Sequence, residues 1–169
     1  PSAAVQLAES LTGGLAERDI LLVGAGKMGL LTAQQLLRLG AARIVVSNRS
    51  VERASDLARQ WGGEALPLSR LQEALRRADV VLSSTGASDF VIRPADVRAA
   101  LAERESPHPL LLIDLAVPRD IDPVVRGLPE AITRLGVSLV RTTALAVAMN
   151  QLMRSREMVV YSDLMRDLW

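Results

Sequence analysis

Gly24-Ala25-Gly26-Lys27-Met28-Gly29 lies between an apolar run, Ile20–Val23, and a stretch patterned as a helix from Met28 to Leu39. Three glycines at this spacing suit one chemistry, the holding of a diphosphate against bare backbone. Gly24 permits a tight turn, Gly26 a close approach of main chain to ligand, and Gly29 close packing of helix on strand. Ala25, Lys27 and Met28 complete the cradle. Their N–H groups would gather at a helix N-terminus, where the macrodipole favours negative charge. The spacing alone is weak, and a structural turn is the alternative. Between a strand and a helix it becomes a specific mark of dinucleotide binding.

The end of the second strand should select the cofactor. An NAD site places an acidic residue there, about 20 residues after the glycines, to bind the adenosine ribose 2′-hydroxyl. Here the chain reads Val46-Ser47-Asn48-Arg49-Ser50, with no carboxylate in that place. Asn48 can donate to ribose or phosphate, and Arg49 offers a planar cation to a 2′-phosphate. Ser47 and Ser50 are expected as further donors, and Arg53 as further charge one turn into the helix. These features point to NADP(H). The alternative is that Arg49 and Arg53 are solvated residues at a helix start.

Two more segments fall where ligands bind in open α/β sheets, at the carboxyl ends of strands. Ser83-Ser84-Thr85-Gly86-Ala87-Ser88 follows a fourth strand, and Ser84, Thr85, Gly86 and Ala87 would leave room for the ribose and nicotinamide, unless they form only a short turn. Leu115-Ala116-Val117-Pro118 follows a fifth strand that ends at Asp114, and should border the nicotinamide. Asp114, Asp120 and Asp122 with Arg119 either fix this loop or face substrate. Carboxylates this close in sequence are more often turn caps than a catalytic pair.

The elements that must position these residues alternate between apolar strands and helices, which reads as a doubly wound, mostly parallel α/β sheet of Rossmann type. Strands are expected at Ile20–Val23, Arg43–Ser47, Ala65–Leu68, Val80–Ser83, Leu110–Asp114 and Gly136–Val140. Helices are expected at Ala3–Leu11, Met28–Leu39, Val51–Trp61 with Ser50 as N-cap, Ser69–Arg76 with Ser69 and Gln72 as a capping box, and Pro94–Glu103. Thr142–Val160 reads as one long helix with several Met residues. The organisation expected is a lead-in helix over 1–14, a cofactor domain over 15–140 and a helical tail over 141–169.

Composition narrows the function further. The 169 residues contain 49% hydrophobic side chains, enough for an ordinary core, and no apolar run near the length of about 20 needed to span a membrane. With no cysteine, disulfides, thiolate metal sites and thiol catalysis are excluded within this chain, and a cytoplasmic setting is expected. The single His108 stands between Pro107 and Pro109 and reads as a solvated loop residue; no ligand spacing suggests a metal. A net charge of +1 and 2% aromatic residues give nucleic acid little to grip. The start, Pro1-Ser2-Ala3, reads as an excerpt from a longer chain and not as a signal peptide.

In order and spacing, Gly24–Gly29, Asn48-Arg49, Ser84–Ala87 and above all Asp114-Leu115-Ala116-Val117-Pro118-Arg119-Asp120-Ile121-Asp122-Pro123 resemble the NADPH-binding domain of glutamyl-tRNA reductase. Shikimate dehydrogenase shares an Asn-Arg second strand, but the Asp114–Pro123 run points away from it. The resemblance covers roughly Ser2 to Pro123. It implies reduction of glutamyl-tRNA to glutamate-1-semialdehyde in tetrapyrrole biosynthesis. In that family a cysteine of a separate domain forms a thioester and hydride from NADPH reduces it. This chain would supply the hydride half alone, with the thioester-forming domain as its partner and no catalytic side chain of its own.

The tail departs from the pattern. The family continues into a charged helix leading to a dimerisation domain, whereas Ala144–Met153 here is apolar. It is expected to fold onto its own sheet or to pack on a partner, including a second copy. Two other readings stay open: a reductase domain recruited to another aminoacyl or peptidyl substrate, and a non-catalytic cofactor-binding interaction module.

Overall fold

The computed structural model describes residues 12–104, 106–128 and 137–141, together with 5, 8 and 9. Six strands, β1 (Asp19–Val23), β2 (Arg43–Asn48), β3 (Glu64–Pro67), β4 (Val80–Ser83), β5 (Leu110–Asp114) and β6 (Val137–Arg141), form one sheet in the order β3-β2-β1-β4-β5-β6. Every pairing is parallel. The order reverses direction between β1 and β4, and in open α/β sheets ligands bind beyond the carboxyl ends of the strands at such a switch point.

Among the described residues four α-helices cross between the strands: α1 (Lys27–Arg38), α2 (Val51–Gln60), α3 (Leu71–Arg77) and α4 (Pro94–Ala102). Alternation along each strand sorts the core into two layers. Ile20, Leu22, Ile44, Val46, Val80, Leu82, Leu111 and Ile113 meet Ala33 and Leu36 of α1 and Ala54 and Ala58 of α2. Leu21, Val23, Val45, Val81, Leu110 and Leu112 meet Leu71, Ala74 and Leu75 of α3 and Val97 and Ala100 of α4. Continuous apolar strands are what a sheet covered on both faces requires.

The doubly wound parallel sheet expected from sequence is the fold observed, with boundaries displaced by one residue at several ends. Ser50 caps α2 by accepting from the Arg53 N–H at 3.2 Å. Pro94 opens α4, and the Asp96 carboxylate accepts from the Arg93 N–H at 3.0 Å. The capping box at Ser69 is absent. Leu68–Arg70 forms a 3-10 turn directly after Pro67, α3 starts later at Leu71, and Gln72 donates to Asp96 across to α4. Residues 5, 8, 9 and 12 are helical, and Val5 and Ala8 are fully buried. The helix expected over Thr142–Val160 lies outside the described residues.

Candidate functional site

The glycine loop leaves β1 through Gly24, whose φ of +83° is open to glycine and strained for other residues. Its N–H donates to the Ser47 carbonyl at 2.8 Å, tying the turn to β2. Gly26 then forms the N-cap of α1, with no side chain to spend on the leading N–H groups. The Gly29 N–H reaches the Ser84 hydroxyl at 3.3 Å.

All three glycines face Ser84, just beyond β4, and Gly24 faces the Thr85 side chain as well. A Cβ on Gly24 would stand 2.6 Å from the Ser84 carbonyl oxygen, and one on Gly26 would stand 2.5 Å from that same oxygen and closer still to the hydroxyl. A Cβ on Gly29 would meet Ser84 Cβ at 2.7 Å and Leu22 Cδ1 at 3.0 Å. The Gly26 N–H donates to the Ser84 carbonyl at 2.9 Å. The turn at Gly24 and the close helix packing at Gly29 agree with the sequence reading. At Gly26 the missing side chain makes room for Ser84, a contact across the sheet that the glycine spacing does not announce. Ser84 itself is buried, only 6% exposed, and its polar groups serve the loop.

At the end of β2, Asn48 is half-buried and Arg49 exposed. Arg49 makes no hydrogen bond or ion pair among the described residues. Arg53 reaches back to the Ala25 carbonyl at 3.3 Å, linking α2 to the glycine loop. Ser47 does not join this group. It shares a strand face with Val45, its side chain is wholly buried, and its hydroxyl has no partner among the described residues. The Ser50 hydroxyl donates to Glu52 at 2.9 Å, so it is no open donor. Glu52, overlooked in the sequence, has its pKa lowered by its own backbone N–H at the helix start and then by Ser50.

The segment after β5 is fixed by its own carboxylates. Asp114, buried at the strand end, accepts from the N–H groups of Ala116 at 3.0 Å, Asp120 at 3.2 Å and Ile121 at 3.1 Å. Burial pushes its pKa up, the three N–H donors oppose this, and the neighbouring Asp120 charge adds to it. Asp120, fully buried, accepts from the Ser83 hydroxyl at 2.8 Å, the Thr85 N–H at 2.7 Å and the Thr85 hydroxyl. Thr85 in turn accepts from the Ala87 N–H at 3.0 Å. Asp122 caps the 3-10 turn Pro123–Gly127. The aspartates are loop-fixing groups, as their sequence proximity suggests. Beside them Leu115 donates its N–H to the Ser83 carbonyl at 2.8 Å, Ala116 is buried, Gly86 is open, and Val117 and Pro118 are exposed.

His108 lies before β5, at the amino edge of the sheet, with its carbonyl held by Arg104. Ser84 and Thr85 lie at the carboxyl edge, about 16 Å away along a five-residue strand. The two cannot form a serine–histidine pair. Among the described residues no cluster of His, Cys, Asp and Glu could hold a metal, and no helix is long and apolar enough to cross a membrane.

A glycine turn, a helix N-terminus and three further strand ends around one switch point define a dinucleotide-binding domain of the Rossmann class. Residues 6–134 match the model of the shikimate/quinate 5-dehydrogenase family, and the chain belongs to that family. It is 47% identical over 123 residues to the glutamyl-tRNA reductase of Syntrophobacter fumaroxidans, covering 73% of this chain and 26% of that protein. The glutamyl-tRNA reductase of Methanopyrus kandleri superposes with a TM-score of 0.78 at 41% identity, over 91% of this chain and 37% of that one. Shikimate dehydrogenase from Aquifex aeolicus shares the fold at 18% identity, with a TM-score of 0.61 over 98% of this chain and 58% of that one. Within the family, sequence likeness therefore runs to the glutamyl-tRNA reductases, as the Asp114–Pro123 segment implies. The chain spans about a quarter of the length of the curated relatives it matches.

Proposed function

We propose that residues 15–140 bind NADP(H) and that the chain serves as the hydride-delivering part of a glutamyl-tRNA reductase, in a cytoplasmic setting. The observation that carries this reading is Arg49, an exposed cation without an ion pair among the described residues, at the strand end where an NAD site places a carboxylate. The cofactor, when bound, supplies the hydride that converts an acyl thioester to an aldehyde.

The chain's own residues bind and orient. The leading N–H groups of α1 face a pyrophosphate, with Lys27 as an exposed charge beside them. Arg49 pairs with the 2′-phosphate, and Asn48 donates to the adenosine ribose. The Thr85–Ala87 and Leu115–Pro118 segments border the nicotinamide half and exclude water from it. The chain holds no cysteine, so the thioester belongs to another domain or protein. The 141–169 tail is proposed as a packing surface for such a partner or for a second copy; of it, only Arg141, the last residue of β6, is among the described residues.

Titration calorimetry with NADPH and NADH tests the assignment. Arg49→Ala should weaken NADPH by about 1.5–3 kcal/mol, the scale of a charge-assisted hydrogen bond, and leave NADH nearly unchanged. Equal losses for both cofactors would sink the 2′-phosphate role. The same chain mixed with glutamyl-tRNA and NADPH should produce no aldehyde, because it has no nucleophile to form the thioester.

A further inference from the structure

Resting on that reading of the site, we propose that Asp120 is a positioning residue that sets the nicotinamide-side loop, Thr85–Ala87, while leaving the adenosine side independent of it. Its place in the network carries the idea. The Asp120 N–H donates to Asp114 at 3.2 Å, its carbonyl accepts from Val91 at 2.7 Å and Ile92 at 3.0 Å, and its carboxylate takes the three donors of Ser83 and Thr85. One fully buried residue thus joins the end of β5, the loop after β4 and the approach to α4.

What Asp120 uniquely holds can be separated from what the sheet holds. Ser84 is secured by its own N–H to the Val23 carbonyl at 2.8 Å and by its carbonyl to Gly26. Ser83 is secured by its carbonyl to the Leu115 N–H at 2.8 Å. These bonds extend the strand ladders and do not depend on residue 120. From Thr85 onward the ladder stops. The Thr85 N–H and hydroxyl both go to Asp120, and Ala87 hangs on the Thr85 hydroxyl. Removing the carboxylate should therefore free residues 85–87 and leave the glycine loop seated on Ser84.

Among the described residues the carboxylate meets no cation. Three neutral donors satisfy a buried charge only while each keeps its place, because a charge at this depth with a donor missing is costly. The negative charge therefore enforces the conformation of the loop. An uncharged isostere would keep the volume and lose the enforcement. Asparagine turns one acceptor into a donor: in the place of Oδ2 it would face the Thr85 N–H, and in the place of Oδ1 it removes the acceptor of the Thr85 hydroxyl.

The test compares a whole ligand with half of one. Binding of NADPH and of 2′,5′-ADP, which lacks the nicotinamide half, is measured by calorimetry on the 169-residue chain and on Asp120→Asn and Thr85→Val. Thermal melts establish that each variant is folded. Thr85→Val removes only the hydroxyl, so it reports should Asp120→Asn fail to fold. The expected result is a loss of about tenfold in NADPH affinity in either variant, with 2′,5′-ADP within about twofold of wild type. Equal losses for both ligands would make Asp120 a general scaffold residue and overturn the proposal, as would unchanged NADPH affinity. If the unmutated chain bound neither ligand, the NADP(H) reading itself would fall, and this proposal with it.

Discussion

The two edges of the sheet treat buried carboxylates differently. At the amino edge, Asp79 meets a guanidinium: Arg104, with no exposed side-chain surface, lies 2.8 Å from it, and the Asp19 N–H and the Ser106 hydroxyl complete the shell. Arg104 also donates to the Arg76, Ala78 and His108 carbonyls, and burial lowers its pKa against the pull of Asp79. Nearby, Asp19 pairs with Arg43 and Glu64 with Arg77, so a recess of about 240 Å³ between them is lined by charges already neutralised. At the carboxyl edge, Asp120 meets neutral donors, while Lys27, Arg49 and Arg119 form no ion pair among the described residues. One edge consumes its cations internally. At the other, Arg70 and Arg93 pair with Glu73 and Asp89, while the cations of the glycine loop and of the β2 and β5 ends stay unpaired among the described residues, a contrast that the proposed function explains as room for an anionic ligand.

Breaking the amino-edge pair should give the largest effect. Arg104→Met leaves Asp79 buried without its cation, which costs about 3–5 kcal/mol of stability. Urea unfolding reads this directly, and NADPH affinity of the folded fraction should be unchanged. A stability loss below about 1 kcal/mol would mean that Asp79 is held by its neutral donors, as Asp120 is, and the contrast between the edges would dissolve.

Gly26→Ala probes the carboxyl edge. The added methyl collides with the Ser84 main chain, which cannot step aside without disturbing β4. Overpacking of this kind costs about 1–3 kcal/mol, and the displaced loop should lose NADPH affinity as well. Melting temperature and affinity should fall together. Lost binding with an unchanged melt would assign Gly26 to ligand approach alone, with no share in seating Ser84.

The smallest effect sharpens the account of Asp114. Its folded pKa is raised, above the ordinary aspartate value of about 3.9. Between those two values the folded chain binds more protons than the unfolded chain, so this group's contribution to stability declines as pH rises through the window. Asp114→Asn has no such proton. The stability gap between wild type and variant should therefore narrow from about pH 4 upward and then level off. Denaturant midpoints at stepped pH check it, and a gap that widened would show the N–H donors outweighing burial.

Local and periodic features were legible in the sequence: the glycine spacing, the strand–helix alternation, the caps at Ser50 and Pro94, and the loop-fixing aspartates. What failed depended on register or on distant partners. Ser47 was readable in principle, since the alternation that pairs Ile44 with Val46 places Ser47 with Val45 on the opposite face. Ser69 looked like a cap because its spacing to Gln72 fits one, yet the chain leaves Pro67 through a 3-10 turn first. The Asp79–Arg104 pair spans 25 residues and no local pattern announces it. The meeting of the glycines with Ser84 spans 55 residues between Gly29 and Ser84 and is set by the adjacency of β1 and β4.

That last separation bears on how the protein comes into being. The glycine loop is written early in the chain, but its shape is imposed by a residue that follows β4, after two intervening strands and three helices. A chain synthesised only through α3 lacks Ser84 and therefore lacks the residue that seats the glycine loop. The loop gains its Ser84 contacts only when β4 pairs with β1, a contact of long sequence separation and therefore expected to be slow compared with local helix formation. Binding of the cofactor can then begin only once both halves of the sheet have met. In refolding kinetics, cofactor binding should lag behind helix signals and coincide with burial of β4.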